Sequence, residues 1–191
     1  MTAIPDASVD LERLLAKQAL HELITAFSRA VDRLDEPALV DIFHPDAIVD
    51  SGVIRGAPAY FAREFVQWVR QHARLVFHAV TNEWFQVSGL DAIGESYVVA
   101  ASRLYGDGSG EQDVMTFGRY LDRFQARDGR WKFLERRFVL DHSVIQPSNR
   151  SSAGDPANTS TASHGAFAPF DPICQFWGSL GREPQTGAVA P

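Results

Sequence analysis

The feature that most constrains the fold is a change of hydrophobic period near Arg74. Before it, apolar residues recur every three or four positions, the spacing of a helix face. After it, the chain reads as long runs rich in β-branched and aromatic residues, broken by glycine and aspartate. Asp6 or Ser8 can cap a first helix whose apolar positions Leu11, Leu14, Leu15, Ala19, Leu23, Ala26, Phe27 and Ala30 carry it to about Leu34. Pro37 in "DEPALVDIF" suits the first turn of a second helix, and "HPDAIVDSGVIRG" reads as a turn, a short strand and another turn. Pro58 opens a third helix with Tyr60, Phe61, Phe65, Trp68 and Val69 along one stripe. From Leu75 to Ile145 four strands follow, and "RDGR" between two of them is the strongest hairpin signal in the chain. Helices first and a meander afterwards define an α+β domain, with a curved antiparallel sheet wrapped around the N-terminal helices. A sheet curved in this way leaves a cone-shaped cavity, and a cavity needs some polar residues pointing inward.

Composition narrows the function classes. The 191 residues suffice for one domain with a full core. With 18 basic against 24 acidic side chains the net charge is −6, and the basic residues are scattered. That argues against nucleic acid or an anionic membrane as the main partner. The start, "MTAIPDASVDLERL", has no basic region followed by an apolar one, and no run is apolar for the length of a membrane span, so a cytoplasmic location is expected. The one cysteine, Cys174, has no ligand-like spacing and reads as a small apolar side chain. His44 belongs to a His-Pro-Asp turn, and neither His72 nor His142 has an evident partner, so no metal site is expected. There is no glycine-rich phosphate loop, GxSxG or CxxC, and no cofactor is expected.

Three segments follow from this: residues 1–146 as the α+β domain, 147–166 as a flexible linker, and 167–191 as an aromatic C-terminal segment. The linker is poor in apolar residues and cannot offset its own ordering entropy. Phe167, Phe170, Ile173, Phe176 and Trp177 make a free end an odd place for the segment that carries them. It is expected to dock on the domain or on a neighbouring subunit, or to act as a flap over the cavity mouth.

"AVDRLDEPALVDIFHPDAIVDSGVIRG", "FHAVTN", "GRYLDRFQARDGRWKF" and "RRFVLDHS" occur in the order found in the SnoaL-like group of the nuclear-transport-factor-2-like superfamily, and the chain resembles that group over roughly residues 8–146. Relatives there include scytalone dehydratase, a bile-acid dehydratase, hexachlorocyclohexane dehydrochlorinase and lyases that release formaldehyde from lignin-derived diarylpropanes. The resemblance implies a cone-shaped α+β barrel and a catalytic pair matching Asp32 and His78. A carboxylate bonded to one ring nitrogen fixes the imidazole tautomer and leaves the other nitrogen free as a base. The resemblance further implies a cavity arginine at Arg137, although strand parity alone does not choose between Arg136 and Arg137. The tyrosine that several dehydratases carry five residues before the aspartate is Phe27 here, so Tyr60, Tyr97, Tyr105 and Tyr120 are candidates for a phenol supplied from elsewhere. Phe27, Asn82, Tyr60, Tyr120 and Trp131 are the expected substrate-binding residues. Asn82 lies four residues beyond His78, on the same face of a regular strand, and serves either a substrate or a backbone group.

The implied function is a cofactor-independent lyase acting on a hydroxylated aromatic small molecule by elimination. Dehydration, or C–C cleavage with loss of formaldehyde from a diarylpropane, are the outcomes open to it. The same base could instead serve an isomerase or cyclase. In a different class, the fold could be a non-catalytic small subunit of a ring-hydroxylating dioxygenase. A homo-oligomer, a dimer or trimer, is the expected assembly.

Overall fold

The computed structural model describes residues 7–106, 110–148 and 165–179. Helix α1 (Ala7–Arg33) leads into α2 (Glu36–Asp41), strand β1 (Phe43–Asp50), the two-residue β2 (Arg55–Gly56) and α3 (Pro58–His72). Four long strands follow, β3 (Ala73–Ser88), β4 (Asp91–Leu104), β5 (Gln112–Arg127) and β6 (Arg130–Pro147), and α4 (Pro172–Ser179) lies in the last described stretch. The strands form one curved, unclosed sheet in the order β2-β1-β6-β5-β4-β3. The α+β class expected from the change of period is therefore the class observed. One pairing departs from a purely antiparallel sheet: β1 runs parallel to β6, with Val49 opposite Arg136. No turn signal could have announced it, because the two strands are far apart in the chain.

The hairpins follow their turn residues. Arg127 pairs with Arg130 across Asp128-Gly129, whose φ values are 53° and 74°. Both residues in the left-handed region make a type I′ turn, whose twist matches that of the flanking strands. Ser88 pairs with Asp91 across Gly89-Leu90, and Gly89 has φ 58°.

On α1 the residues facing the sheet are Leu20, Leu23, Ile24, Phe27, Ala30 and Val31, all within the main core. The apolar stripe expected from residue 11 onward is buried only from Ala16: Leu11, Leu14 and Leu15 are 49–64% exposed. The period is helical there, but the sheet does not cover it. Of the possible caps, Ser8 is already inside the helix and Asp6 lies outside the described residues. In α3 the buried side chains are Phe61, Ala62, Val66 and Val69, while Tyr60 and Trp68 are half exposed. Asp35 accepts the Ala38 amide at the start of α2.

Among the described residues, the C-terminal stretch meets the domain beside the end of α1. Phe167 packs against a small cluster of Leu34, Val66, Val69, Ala73 and Val76. The linker expected at 147–166 falls mostly outside the described residues, as does the Trp177 side chain. No helix among the described residues is long and apolar enough to cross a membrane.

The β5–β6 turn supplies a direct test. Gly129→Ala keeps every contact but puts a Cβ at φ 74°, so unfolding should become easier by about 1–2 kcal/mol. Urea denaturation should show the midpoint fall at unchanged slope.

Candidate active site

Asp32 sits one residue before the end of α1, and His78 sits on β3, the strand at the open edge of the sheet. Packing of α1 across β3 brings them together. Asp32 Oδ1 lies 2.7 Å from His78 Nδ1, and Oδ2 accepts the His78 backbone amide at 3.1 Å. Both side chains are largely buried, at 10% and 14% exposed. With a carboxylate as its acceptor, Nδ1 carries the proton and the lone pair is left on Nε2.

His78 lines a cavity of about 260 Å³. Its walls are mostly apolar, with Phe27, Phe61, Phe65, Trp68 and Phe138 supplying aromatic surface. The polar lining comes from Asp50, Ser51, Ser102, Thr116, Tyr120 and Arg136 in addition to His78. A few polar groups converging in an apolar cavity is the usual form of a small-molecule site. Val53, 87% exposed, stands on the β1–β2 turn that forms part of the lining.

Arg136, the alternative that strand parity left open, lines the cavity, and behind it lies Asp122, which sequence reasoning missed. The Arg136 guanidinium donates twice to the Asp122 carboxylate at 2.8 Å, and the two side chains are 1% and 0% exposed. The guanidinium carbon is 4.2 Å from the ring centres of Phe27 and Tyr120 and 4.3 Å from that of Phe133. Its Nη1 is buried without a hydrogen-bond partner. Burial pushes the Asp122 carboxyl up, against the guanidinium beside it. Burial also pushes the Tyr120 phenol up to about 12, with Arg136 opposing and the negative charges of Asp122 and Asp32 adding to the rise. Tyr120 therefore stays a neutral donor through the working range of pH, and its hydroxyl has no hydrogen bond among the described residues. Asp122 could have been suspected from sequence, since Gly118, Tyr120, Asp122 and Phe124 alternate along one face and an aspartate there interrupts an apolar row.

The other expected site residues fall elsewhere. Arg137 points to the opposite side of the sheet, 53% exposed, with Nη2 3.5 Å from Glu135. The reason is a bulge: Arg123 pairs with Glu135 but Phe124 pairs with Phe133, so β6 carries one extra residue. A strict alternation from the buried Phe133 would turn Arg137 inward, and the bulge turns Arg136 inward instead. A second bulge, between Val80 and Glu83 of β3, does the same to Asn82, which is exposed and away from the cavity. Past it Glu83 faces α1, and its carboxylate is 2.8 Å from His21 Nδ1. Trp131 packs on the far flank of the core and lines a groove with Val9 and Ala16 of α1. Tyr60 lies outside the cavity lining, with the Arg63 guanidinium 5.6 Å from its ring centre. Of the tyrosines considered, Tyr120 alone is in the lining, and Phe27 is beside it. A larger groove of about 460 Å³, which includes Trp84, Leu121 and Arg137, is open to solvent on the outer sheet face and holds no His–carboxylate pair. Among the described residues no three His, Cys, Asp or Glu side chains are placed to hold a metal.

Fold and site together define a class: an α+β cone with a His–carboxylate pair facing an apolar cavity. The chain belongs to the SnoaL-like domain family, whose model matches residues 12–137. A comparison with curated proteins finds no significant match. Solved structures share the fold. Hexachlorocyclohexane dehydrochlorinase LinA-type3 from Novosphingobium barchaimii is 23% identical with a TM-score of 0.68, the likeness covering 75% of this chain and 99% of that one. LinA itself is 25% identical with a TM-score of 0.65, over 73% and 94% of the two chains. A scytalone dehydratase candidate from Novosphingobium aromaticivorans is 20% identical with a TM-score of 0.61, over 73% and 97%.

The two neighbouring arginines can be told apart by stability. Arg136→Ala leaves the Asp122 carboxyl buried without its partner and should cost about 3–5 kcal/mol. Arg137→Ala removes an exposed contact and should cost less than about 0.5 kcal/mol. Equal losses in chemical denaturation would contradict this placement.

Proposed function

We propose that this protein is a cofactor-independent lyase that eliminates water from a hydroxylated, largely apolar aromatic molecule. The observation that carries the reading is the Asp32–His78 pair, 2.7 Å apart at the wall of an aromatic-lined cavity. His78 Nε2 takes a proton from a carbon of the substrate. The electrons of that C–H bond form the new double bond, and the hydroxyl on the neighbouring carbon leaves with its own bonding pair. Asp32 stabilises the imidazolium that forms, and a base placed in this way contributes on the order of 10²–10⁴ in rate. On this reading the Tyr120 phenol hydrogen-bonds the departing oxygen, and the proton that His78 has taken passes to that oxygen, so that it leaves as water and the imidazole is regenerated. Behind it, Arg136 takes the part that the family resemblance gave to Arg137, as a fixed positive charge beneath the ring.

Cavity size bears on the substrate. At about 260 Å³ the space exceeds the roughly 150 Å³ that accepts benzene. It falls below the roughly 300–1,000 Å³ typical for drug-sized ligands. This favours a single ring or a compact fused bicycle, and weighs against a complete diarylpropane and the formaldehyde-releasing outcome. The expected homo-oligomer has a candidate surface in the outer sheet face, where Phe77, Trp84 and Met115 are exposed. Light scattering of the purified chain should show a dimer or trimer, and Phe77→Arg should shift it towards monomer.

Turnover is tested with a panel of hydroxylated one-ring, fused-ring and diaryl substrates, following new conjugation in the ultraviolet together with formaldehyde. His78→Ala and Asp32→Asn should each lower kcat/KM by about 10²–10⁴, and Arg137→Ala should leave it within a few-fold. Full turnover in His78→Ala would remove the proposed base.

A further inference from the structure

Asp171 is buried at the start of α4, although the stretch around it lies beyond the family match at 12–137. Its carboxylate is closely held. Oδ2 accepts the Ala166 amide at 2.9 Å, Oδ1 accepts the Ile173 amide at 3.0 Å, and Arg33 Nε lies 3.3 Å from Oδ2. Burial alone pushes this carboxyl up, but the two amides and the nearby guanidinium of Arg33 outweigh it and hold the group below its ordinary range. Charge-assisted contacts of this kind are among the stronger ones a carboxylate makes.

Arg33 is the residue after Asp32. Its Nη1 donates to the Asp32 carbonyl at 3.4 Å, and its own carbonyl accepts the Ala168 amide at 2.8 Å. Both contacts fall at the end of α1, where the last carbonyls lack donors within the helix and the last turn tends to fray. Asp32 sits in that turn. Its carboxylate must nevertheless stay fixed, since it holds both the His78 ring and the His78 amide. Phe167, four residues before Asp171, packs against Leu34 and Val76, which stand two residues from Asp32 and from His78.

We propose that Asp171 is a positioning residue for the Asp32–His78 pair. Through Arg33, and with the Ala166–Asp171 turn that it organises, it fixes the last turn of α1 and so the direction of the Asp32 carboxylate. The C-terminal stretch is on this view part of the site's framework, although none of its described residues is in the cavity lining. Its consequence for turnover rests on the function proposed above, but the positioning can be read without any substrate.

The test is amide hydrogen exchange by NMR on the full chain, read at His78. That amide is bonded to Asp32 Oδ2, so its exchange reports how often the carboxylate leaves. In Asp171→Ala the His78 amide should exchange about tenfold faster or more, while the Tyr120 amide in the centre of the sheet stays within about twofold of the unaltered protein. Asp171→Asn, which keeps an acceptor and lacks the charge, should fall between, and it carries the test by the same criterion if Asp171→Ala does not fold. Arg127→Ala breaks a comparable pair with Asp46 elsewhere on the sheet and should leave His78 unaffected. A His78 amide unchanged in the Asp171 variants would overturn the proposal, and so would an equal rise at His78 and Tyr120, which means general destabilisation. Failure of His78→Ala to affect turnover would instead strike only at the reaction.

Discussion

One carboxylate joins the helical layer to the edge of the sheet. Asp32 projects from the end of α1 to β3, and its two oxygens take up a ring nitrogen and a backbone amide of the same residue, His78. β3 is an edge strand, so amides on its outer side have no neighbouring strand to bond. Closing one of them with a carboxylate satisfies the backbone, and the same contact orients the imidazole. A short distance along the same interface, His21 of α1 meets Glu83 of β3 at 2.8 Å, with the partners exchanged between helix and strand. The two pairs flank the bulge at Val80–Glu83, where the strand's alternation breaks. The helix is thereby pinned to the strand on both sides of the irregularity.

The buried Asp122–Arg136 pair calls for a different account. Two fully buried charges give weak support to stability, because desolvation costs about as much as their attraction returns. Three aromatic rings around the guanidinium offset part of that cost through cation–π contact. An apolar core of the same volume would fill the space without any such cost. What the pair supplies that an apolar core could not is a fixed positive charge under Phe27 and Tyr120, on the floor of the cavity that His78 lines. In a dry site a charge of that kind acts more strongly than it would in water. A phenyl ring at residue 27 packs over the guanidinium, and on the reading proposed above the phenol is supplied from β5 instead.

Much of this was legible in the sequence, and the two site residues placed on the wrong face share a cause. The change of period near Arg74 gave the α+β class, Asp128-Gly129 gave the β5–β6 hairpin, and the family motifs singled out the two residues that meet at 2.7 Å. Asn82 and Arg137 were assigned to the cavity and lie outside it. Asn82 stands within, and Arg137 just past, a bulge that adds one residue to its strand, and one added residue turns every later side chain to the other face. Sequence alone marks neither bulge, since no glycine stands at Val80–Glu83 or at Phe133–Glu135. The parallel β1–β6 pair was hidden for a simpler reason, that local signals specify hairpins and say nothing about strands brought together by the rest of the fold. Leu11, Leu14 and Leu15 make the complementary point. Their spacing is helical and the helix forms, but periodicity does not say how far the sheet extends to cover it.

The environment of Asp32 follows from chain segments that are far apart. On β3, Val76, His78 and Val80 share the inner face ahead of the bulge. Val80 packs against the main core, which contains Val31, while Val76 belongs to the smaller cluster with Leu34 and Phe167. The Asp32–His78 pair thus sits between two apolar clusters, and Phe167 from the C-terminal stretch closes the second of them. Flanked on both sides in this way, Asp32 is buried, at 8% exposed. Its interaction with His78 is then stronger than the same pair would make on a surface. Phe167 therefore bears on the dielectric around Asp32, although no described residue after 164 is in the cavity lining.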